Sequence, residues 1–167
     1  SQSIPSTEGQ RNLSNHLRTV FEGMGISVHQ DAHANLIATI PGSAGSPKLA
    51  LMAHIDTSEG TIAVSKLEEA PKWDGSVISF PKNDRMEVSA ERYAATQPYV
   101  GDDVLHGPGD APIGLDDKLG MSEMMTLAAV LTTNPQIPHG DVLLVFRPDE
   151  EIGRMEAVVG LATTLQE

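Results

Sequence analysis

Hydrophobic residues near the start of the chain recur at the spacing of a helix. The apolar positions are Leu13, Leu17, Val20, Phe21 and Met24. This spacing places them on one face of an amphipathic helix, which we expect to pack on a sheet. Ser6 and Thr7 precede it as candidate N-caps, and Gln10 stands where a capping box would place the partner of Thr7. Gly25 marks the expected end of the helix.

Three apolar runs predict strands. "NLIATIPG" (35–42) is typical of a short strand closed by Pro-Gly. "KLALMAHIDTSEG" (48–60) opens as a nearly continuous apolar run, which is typical of a strand covered on both faces. "IPHGDVLLVF" (137–146) predicts another buried strand.

A second helical pattern begins after residue 115 and ends before Pro135. Its apolar positions are Met121, Met124, Met125, Ala128 and Leu131. The methionines at these positions are interpreted as flexible core filling. The order helix, strand, strand, helix, strand predicts an α/β domain with a mixed, largely parallel central sheet flanked by helices. Residues 59–113 are rich in Pro, Gly and Asp, and we expect a long excursion with a short hairpin there, of the kind that often forms lids or site walls.

Composition narrows the classes of function. The chain has 167 residues, the length of one ordinary domain, and 23 acidic against 11 basic residues give a formal net charge of -12. Nucleic acid is therefore not an expected partner, whereas cations and the free amines of peptides are tolerated. There is no cysteine, so a metal site would use His, Asp and Glu. No apolar run approaches the roughly 20 residues that span a bilayer, and we expect a soluble, cytoplasmic protein without a membrane segment.

Polar residues that could carry chemistry stand near the ends of the apolar strands and at the start of the second helix. His54 and Asp56 lie two positions apart, on one side of the strand if it continues, so that Asp56 could orient a metal-binding His54. Asp116 and Asp117 begin the helix. Taken separately, the first pair is also typical of ordinary strand-end hydrogen bonding, and the second of helix N-capping.

Three consecutive carboxylates, the acidic turn (residues 149–151), follow the third strand. Because Glu150 and Glu151 point in different directions, one could bind a metal while its neighbour faces water. An acidic turn alone is more typical of a solvated loop. In open α/β sheets, however, side chains beyond the carboxyl ends of strands converge on the ligand crevice, so the three clusters together favour a common site.

Four motifs make the sequence resemble a known family. "IPSTEGQ", "AHIDTSEG", "GLDDKLGMSEMMT" and "IPHGDVLLVFRPDEEIGR" occur in order from residue 4 to about residue 154. They resemble the peptidase T branch of the M20 family of co-catalytic zinc peptidases. The members of this branch are tripeptide aminopeptidases. The middle excursion matches only loosely, through "KWDG" and "KND".

The resemblance implies a role for each candidate residue. His54 would bind one zinc, with Asp56 as the partner that orients it. Asp116 would bridge two zinc ions, and Glu151 would bind the second. Glu150 would be the general base that takes a proton from the attacking water and passes it to the leaving amine.

The resemblance also implies a division of the chain. Residues 1–154 would be the N-terminal part of the catalytic domain, and residues 155–167 would resemble its closing helix. The apolar positions of that helix are Met155, Val158, Val159, Ala162 and Leu165. The family's lid domain, a further acidic ligand and a late histidine have no counterpart after Glu151. Three explanations of this difference from the family stay open. The sequence could be an engineered minimal domain, a degenerate natural fragment, or a join of only the ordered pieces of a longer protein.

The function implied by the resemblance is zinc-dependent release of the N-terminal residue from tripeptides or short peptides, with two zinc ions in a complete site. For a chain of only these 167 residues, we expect no activity and at most one bound zinc. Another M20 hydrolase, such as a carboxypeptidase or an N-acyl amino acid amidohydrolase, stays an alternative, as does a non-catalytic metal-binding fragment. The oligomeric state and the working metal stay open.

Overall fold

The computed structural model describes residues 3–58, 66–159 and 161. They fall into two units, Ser1–Glu59 with Asp116–Glu167, and Gly60–Leu115. In chain order, the helices and strands are α1 (Glu8–Gly23), β1 (Ser27–Gln30), β2 (Leu36–Ile40), β3 (Leu49–His54), β4 (Glu68–Ala70), β5 (Ile78–Phe80), β6 (Asn83–Val88), β7 (Val104–His106), α2 (Lys118–Thr133) and β8 (Val142–Arg147). Two short 3₁₀ helices, Ala94–Tyr99 and Met155–Val158, complete the described elements.

The first unit contains a four-stranded mixed sheet with the order β1-β2-β8-β3. β2 pairs antiparallel with both β1 and β8, while β3 pairs parallel with β8. The predicted mixed α/β sheet is therefore confirmed. The expectation that it is largely parallel was wrong for the described strands, because β2 runs antiparallel to both of its neighbours and only β3 and β8 pair parallel. His54 lies opposite Arg147 at the end of this pair, so the residues that follow both strands leave the sheet at the same edge.

Both predicted helices are confirmed, and both contribute to the main core. Leu17 and Phe21 of α1 are buried, and the Phe21 ring lies 5.5 Å from that of Phe146 on β8. The buried positions of α2 are Met121, Met124, Ala128 and Leu131, which are four of the five predicted apolar positions, and the fifth, Met125, is half-buried. Gly25 has a φ of 78°, the left-handed conformation that commonly ends a helix. Each large side chain buried in this way contributes about 1.5–3 kcal/mol.

The opposite face of the sheet has a smaller core. Ile37 and Val145 point there, because side chains alternate along each strand, and they pack with Leu161. The closing segment begins as the 3₁₀ helix Met155–Val158. The predicted apolar positions Ala162 and Leu165 lie outside the described residues, so the closing helix stays a prediction.

Two features of the first unit differ from the expectations. β3 was expected to be covered on both faces, but Leu49 and Met52 are each 50% exposed because β3 is an edge strand among the described ones. β1 was not expected, since its four residues are too few to show a period. As far as the structure is described, none of the helices combines the length and apolar character needed to cross a membrane.

The second unit, expected as an excursion with a hairpin, is built from two antiparallel ladders. The predicted hairpin is β5 with β6, and β4 pairs with β7, where Ala70 lies opposite Val104, 34 positions further along the chain. Trp73, Ile78 and Ala90 form its core. The Trp73 indole N–H donates to the Ser76 carbonyl at 2.7 Å, so the one polar atom of this buried ring is satisfied.

Candidate metal centre

His54, the last residue of β3, is buried and holds hydrogen bonds at both ring nitrogens. Nδ1 lies 2.9 Å from the main-chain oxygen of Asp56, and Nε2 lies 3.0 Å from Oδ1 of Asp116. Burial opposes protonation, but the hydrogen bonds to Asp116 and Asp56 and their charges outweigh it, so the pKa of His54 is raised. With Nδ1 directed at the Asp56 carbonyl, Nε2 is the nitrogen available to a metal ion.

Asp116 and Asp117, joined by a cis peptide bond, have different tasks at the start of α2. Asp117 is the N-cap: one carboxylate oxygen accepts the Gly120 N–H at 3.1 Å, and the other accepts the His54 N–H at 3.3 Å. A Cβ at Gly120 would clash with the Asp117 carboxylate in its capping position, so glycine allows this close approach. The side chain of Asp116 is 85% exposed and reaches Nε2 of His54. The capping interpretation thus holds for Asp117.

Asp56 ties the end of β3 to the acidic turn. Its Oδ1 accepts the Glu150 N–H at 3.1 Å, and its Oδ2 accepts the Glu151 N–H at 3.0 Å. The Asp56 carboxylate lies 3.5 Å from Nδ1 of His54, further than the main-chain oxygen of the same residue. Asp56 therefore contacts His54 mainly through its main chain and uses its carboxylate to hold the acidic turn.

Asp149, for which the sequence analysis assigned no role, is the most buried residue of the acidic turn. It is 0% exposed and has a left-handed φ of 56°. Its carboxylate accepts hydrogen bonds from the Ser6 N–H, the Ser6 hydroxyl at 2.6 Å and the Gln10 amide at 2.9 Å. Burial raises the pKa of this carboxyl, but the hydrogen bonds from Ser6 and Gln10 outweigh burial and leave it below its ordinary value.

Glu151 completes a group of three possible metal ligands with His54 and Asp116. One ligand atom from each residue lies within 4.8 Å of the others. His54 is buried, while both carboxylates are exposed. An imidazole nitrogen and two carboxylate oxygens fit the three protein ligands of a catalytic zinc ion, which keeps a further position open. Glu150 is exposed and follows Asp149 in the same turn, with its N–H on Asp56.

The candidate site residues thus converge, although they come from three places in the sequence. The parallel ends of β3 and β8 bring His54 and the acidic turn together, and the start of α2 supplies Asp116. The contribution of Ser6 and Gln10 was not predicted beyond helix capping. Thr7 is the N-cap of α1 but its side chain makes no capping hydrogen bond, so the predicted capping box is not formed. The Gln10 amide instead donates to the Thr7 hydroxyl at 3.1 Å and to Asp149, 139 positions away. No local sequence pattern predicts that contact.

Curated proteins that are similar in sequence match this chain over most of its length. No family model matches. Peptidase T of Staphylococcus carnosus is 35% identical over 157 residues, which are 92% of this chain and 38% of that protein. Peptidase T of Halothermothrix orenii is 32% identical over 160 residues, or 92% of this chain and 39% of that protein. The chain thus spans less than two fifths of the length of these relatives, and the resemblance to peptidase T is confirmed.

Solved structures share the fold. A tripeptidase of Staphylococcus aureus has a TM-score of 0.59 at 24% identity, covering 91% of this chain and 34% of that one. The aminopeptidase PepT of Bacillus cereus has a TM-score of 0.54 at 23% identity, with 92% and 34% covered. A dinuclear metal-binding M20 peptidase of Bacillus subtilis has a TM-score of 0.52 at 16% identity, with 96% and 35% covered. The predicted fold class is therefore confirmed.

Proposed function

We propose that this chain, a homologue of peptidase T over 92% of its length, is the metal-binding part of a zinc aminopeptidase that acts on tripeptides or short peptides. The observation that supports this most directly is the meeting of His54, Asp116 and Glu151 beside Glu150. His54, Glu150 and Glu151 stand at or just beyond the ends of one parallel strand pair, and Asp116 contacts His54 from the start of α2.

His54, Asp116 and Glu151 would hold the zinc ion. A bound zinc ion would polarise the scissile carbonyl and lower the pKa of water at the site towards about 7. Asp116, whose side chain is 85% exposed, would hold zinc and could also bind a second ion, which is the role that the resemblance implies for it. The described residues bring together one such group, and we expect this chain to bind one zinc ion.

Glu150 is the candidate general base. Its side chain is exposed, so it can receive a proton from an attacking water and deliver it to the leaving amine. Its main chain is held by the Asp56 carboxylate at 3.1 Å, which restricts the directions the side chain can take. An acidic chain with a formal net charge of -12 also suits a substrate that carries a free, positively charged amine.

Zinc titration of four purified proteins, the wild type and three variants, tests the metal site. We expect one zinc per wild-type chain, strong loss of binding in His54→Ala, and unchanged binding in His16→Ala, an exposed histidine of α1. Glu150→Gln should bind zinc as the wild type does, because Glu150 is not among the proposed ligands. Absence of zinc binding, or binding that His54→Ala leaves intact, would contradict the proposal.

Hydrolysis of free and N-acetylated tripeptides by the zinc-loaded chain tests the reaction. We expect no turnover by this chain alone, since it spans 38% of its peptidase T relative. Turnover of the free tripeptide that is lost in Glu150→Gln would show that the chain is itself an aminopeptidase. Cleavage of the N-acetylated peptide in preference to the free one would favour an N-acyl amino acid amidohydrolase instead.

A further inference from the structure

We propose that Asp149 is a positioning residue, which aligns the acidic turn for metal binding by anchoring it to the start of α1. This inference rests on the proposed function, because the turn carries the candidate ligand Glu151 and the candidate base Glu150. Asp149 itself is not a ligand in the proposal. Its carboxylate is fully enclosed and directed at Ser6 and Gln10.

The contacts between Asp149 and Gln10 run in both directions. The Gln10 amide donates to the Asp149 carboxylate at 2.9 Å, and the Asp149 N–H donates to Gln10 Oε1 at 2.9 Å. Ser6 adds its N–H, 3.0 Å from Oδ2, and its hydroxyl, 2.6 Å from Oδ1. A residue held through both its main chain and its side chain has little freedom to rotate, so the direction of the chain leaving it is fixed.

The acidic turn is therefore held from two sides. Its three successive N–H groups, at Asp149, Glu150 and Glu151, are all accepted by side chains, the first by Gln10 and the others by Asp56. Hydrogen bonds to charged acceptors are stronger than neutral ones, and outer partners of this kind orient metal ligands. The side chains of Glu150 and Glu151 are themselves exposed, so these main-chain contacts set where their carboxylates can reach.

A purely structural role explains the observations less well. Burying a carboxylate is costly unless several donors satisfy it, and an apolar residue would fill the same space without that cost. Asp149 moreover has a positive φ, which an L-residue adopts at some cost. The buried carboxylate and the positive φ both occur at the residue that directly precedes the candidate base. Alignment of the acidic turn explains why they occur there.

The test compares variants of the full chain with a matched control at the other end of β8. Asp149→Ala removes the anchor, Asp149→Asn keeps one acceptor oxygen, and Ser6→Ala removes one donor. Asp141→Ala is the control, because Asp141 also holds a main-chain N–H, that of Gly42 at 2.9 Å, but precedes β8. For each protein, the dissociation constant of zinc is measured by competition with a chromophoric chelator, and the amide hydrogen exchange of Glu150 and Glu151 is measured without metal.

We expect Asp149→Ala to weaken zinc binding about 10–100-fold and to speed exchange at Glu150 and Glu151. Asp149→Asn should recover part of the zinc affinity, Ser6→Ala should lose a few-fold, and Asp141→Ala should change neither quantity. If Asp149→Ala does not fold, Asp149→Asn and Ser6→Ala decide the question in the same way.

Unchanged zinc affinity in folded Asp149 variants would overturn the inference, whether or not exchange becomes faster. Equal losses in Asp141→Ala would also overturn it, since they would reflect general destabilisation. If the wild-type chain binds no zinc, the proposed function fails separately, and the inference about metal binding falls with it. The exchange data would then show whether Asp149 still holds the turn.

Discussion

The two units of the chain use charged side chains in different ways. In the first unit, two acidic residues that hold the site, Asp56 and Asp149, are buried and bonded to distant parts of the sequence: Ser6 and Asp149 are 143 positions apart. In the second unit, Lys82 forms a salt bridge with Asp110 at 2.8 Å and Arg92 forms one with Glu87 at 2.6 Å. All four side chains are well exposed. Buried carboxylates with several donors constrain the chain, whereas exposed pairs contribute little.

The described hydrophobic core of the first unit is also larger than that of the second unit. In the first unit, both helices and three strands share one cluster, which includes Phe21 and Phe146. In the second, the described cluster is centred on Trp73 with Ile78 and Ala90. A site needs elements whose side chains are locked by packing, and the sheet edge of the first unit offers them. We therefore expect metal binding to depend on the first unit and to be insensitive to changes in the second.

The largest expected effect follows from truncating the core beneath the site. Phe146→Ala should lower the free energy of unfolding by about 3–5 kcal/mol, because it leaves a cavity against Phe21 and removes a fully buried ring one residue from the end of β8. Urea denaturation measures the loss. Zinc affinity should fall as well, because β8 leads directly into the acidic turn.

Trp73→Ala is the matched change in the second unit. Trp73 is 5% exposed, so its loss should destabilise the second unit by a similar amount. Zinc affinity should nevertheless remain that of the wild type under conditions where the first unit is folded, since all three candidate ligands belong to that unit. A large loss of zinc affinity in Trp73→Ala would break the proposed contrast.

A smaller effect is expected from Asp56→Ala. The substitution leaves the N–H groups of Glu150 and Glu151 without their carboxylate acceptor, at a cost of about 1–3 kcal/mol. Zinc affinity should fall about 10–100-fold, because the turn that carries Glu151 loses its second anchor. Thermal unfolding and zinc competition measure the two quantities.

The control is Asp74→Ala in the second unit. Asp74 accepts the Ser76 N–H at 2.9 Å, but in an exposed turn where water can replace it. We expect a small change in stability and none in zinc affinity. Equal effects of the Asp56 and Asp74 substitutions would contradict the contrast between the units. They would show that a buried carboxylate bonded to distant residues contributes no more than an exposed one bonded within a turn.

Much of the fold could be predicted because its signals are local. The helical spacing of Leu17 and Phe21 gives α1, that of Met121 and Met124 gives α2, and the apolar run before residue 147 gives β8. The convergence of the candidate ligands follows from strand ends meeting at one edge of a sheet. Their individual roles depend on the family resemblance, and they stay predictions.

The contacts that hold the site could not be predicted, because they join residues far apart in sequence. Gln10 has the spacing of a capping-box partner, and only the folded chain brings it against Asp149. Asp56 stands two positions from His54, which suggested a bond between the two side chains, whereas its carboxylate oxygens accept N–H groups 94 and 95 positions away. The exposure of Leu49 likewise depends on which strand lies beside β3, a tertiary property.

The smallest expected effect concerns the exposed pair Lys82 and Asp110. The hydrogen bond from Lys82 lowers the pKa of Asp110 below its ordinary value, so the stabilisation it provides is present above that ordinary pKa and is lost as the pH falls through the lowered pKa. Lys82→Ala should return the pKa of Asp110 towards its ordinary value, as measured by NMR titration of its carboxyl carbon, and high salt should reduce the difference between the two proteins. A pKa that stays low in Lys82→Ala would mean that Asp110 is held by something other than this pair. The second unit would then share the constrained carboxylates of the first.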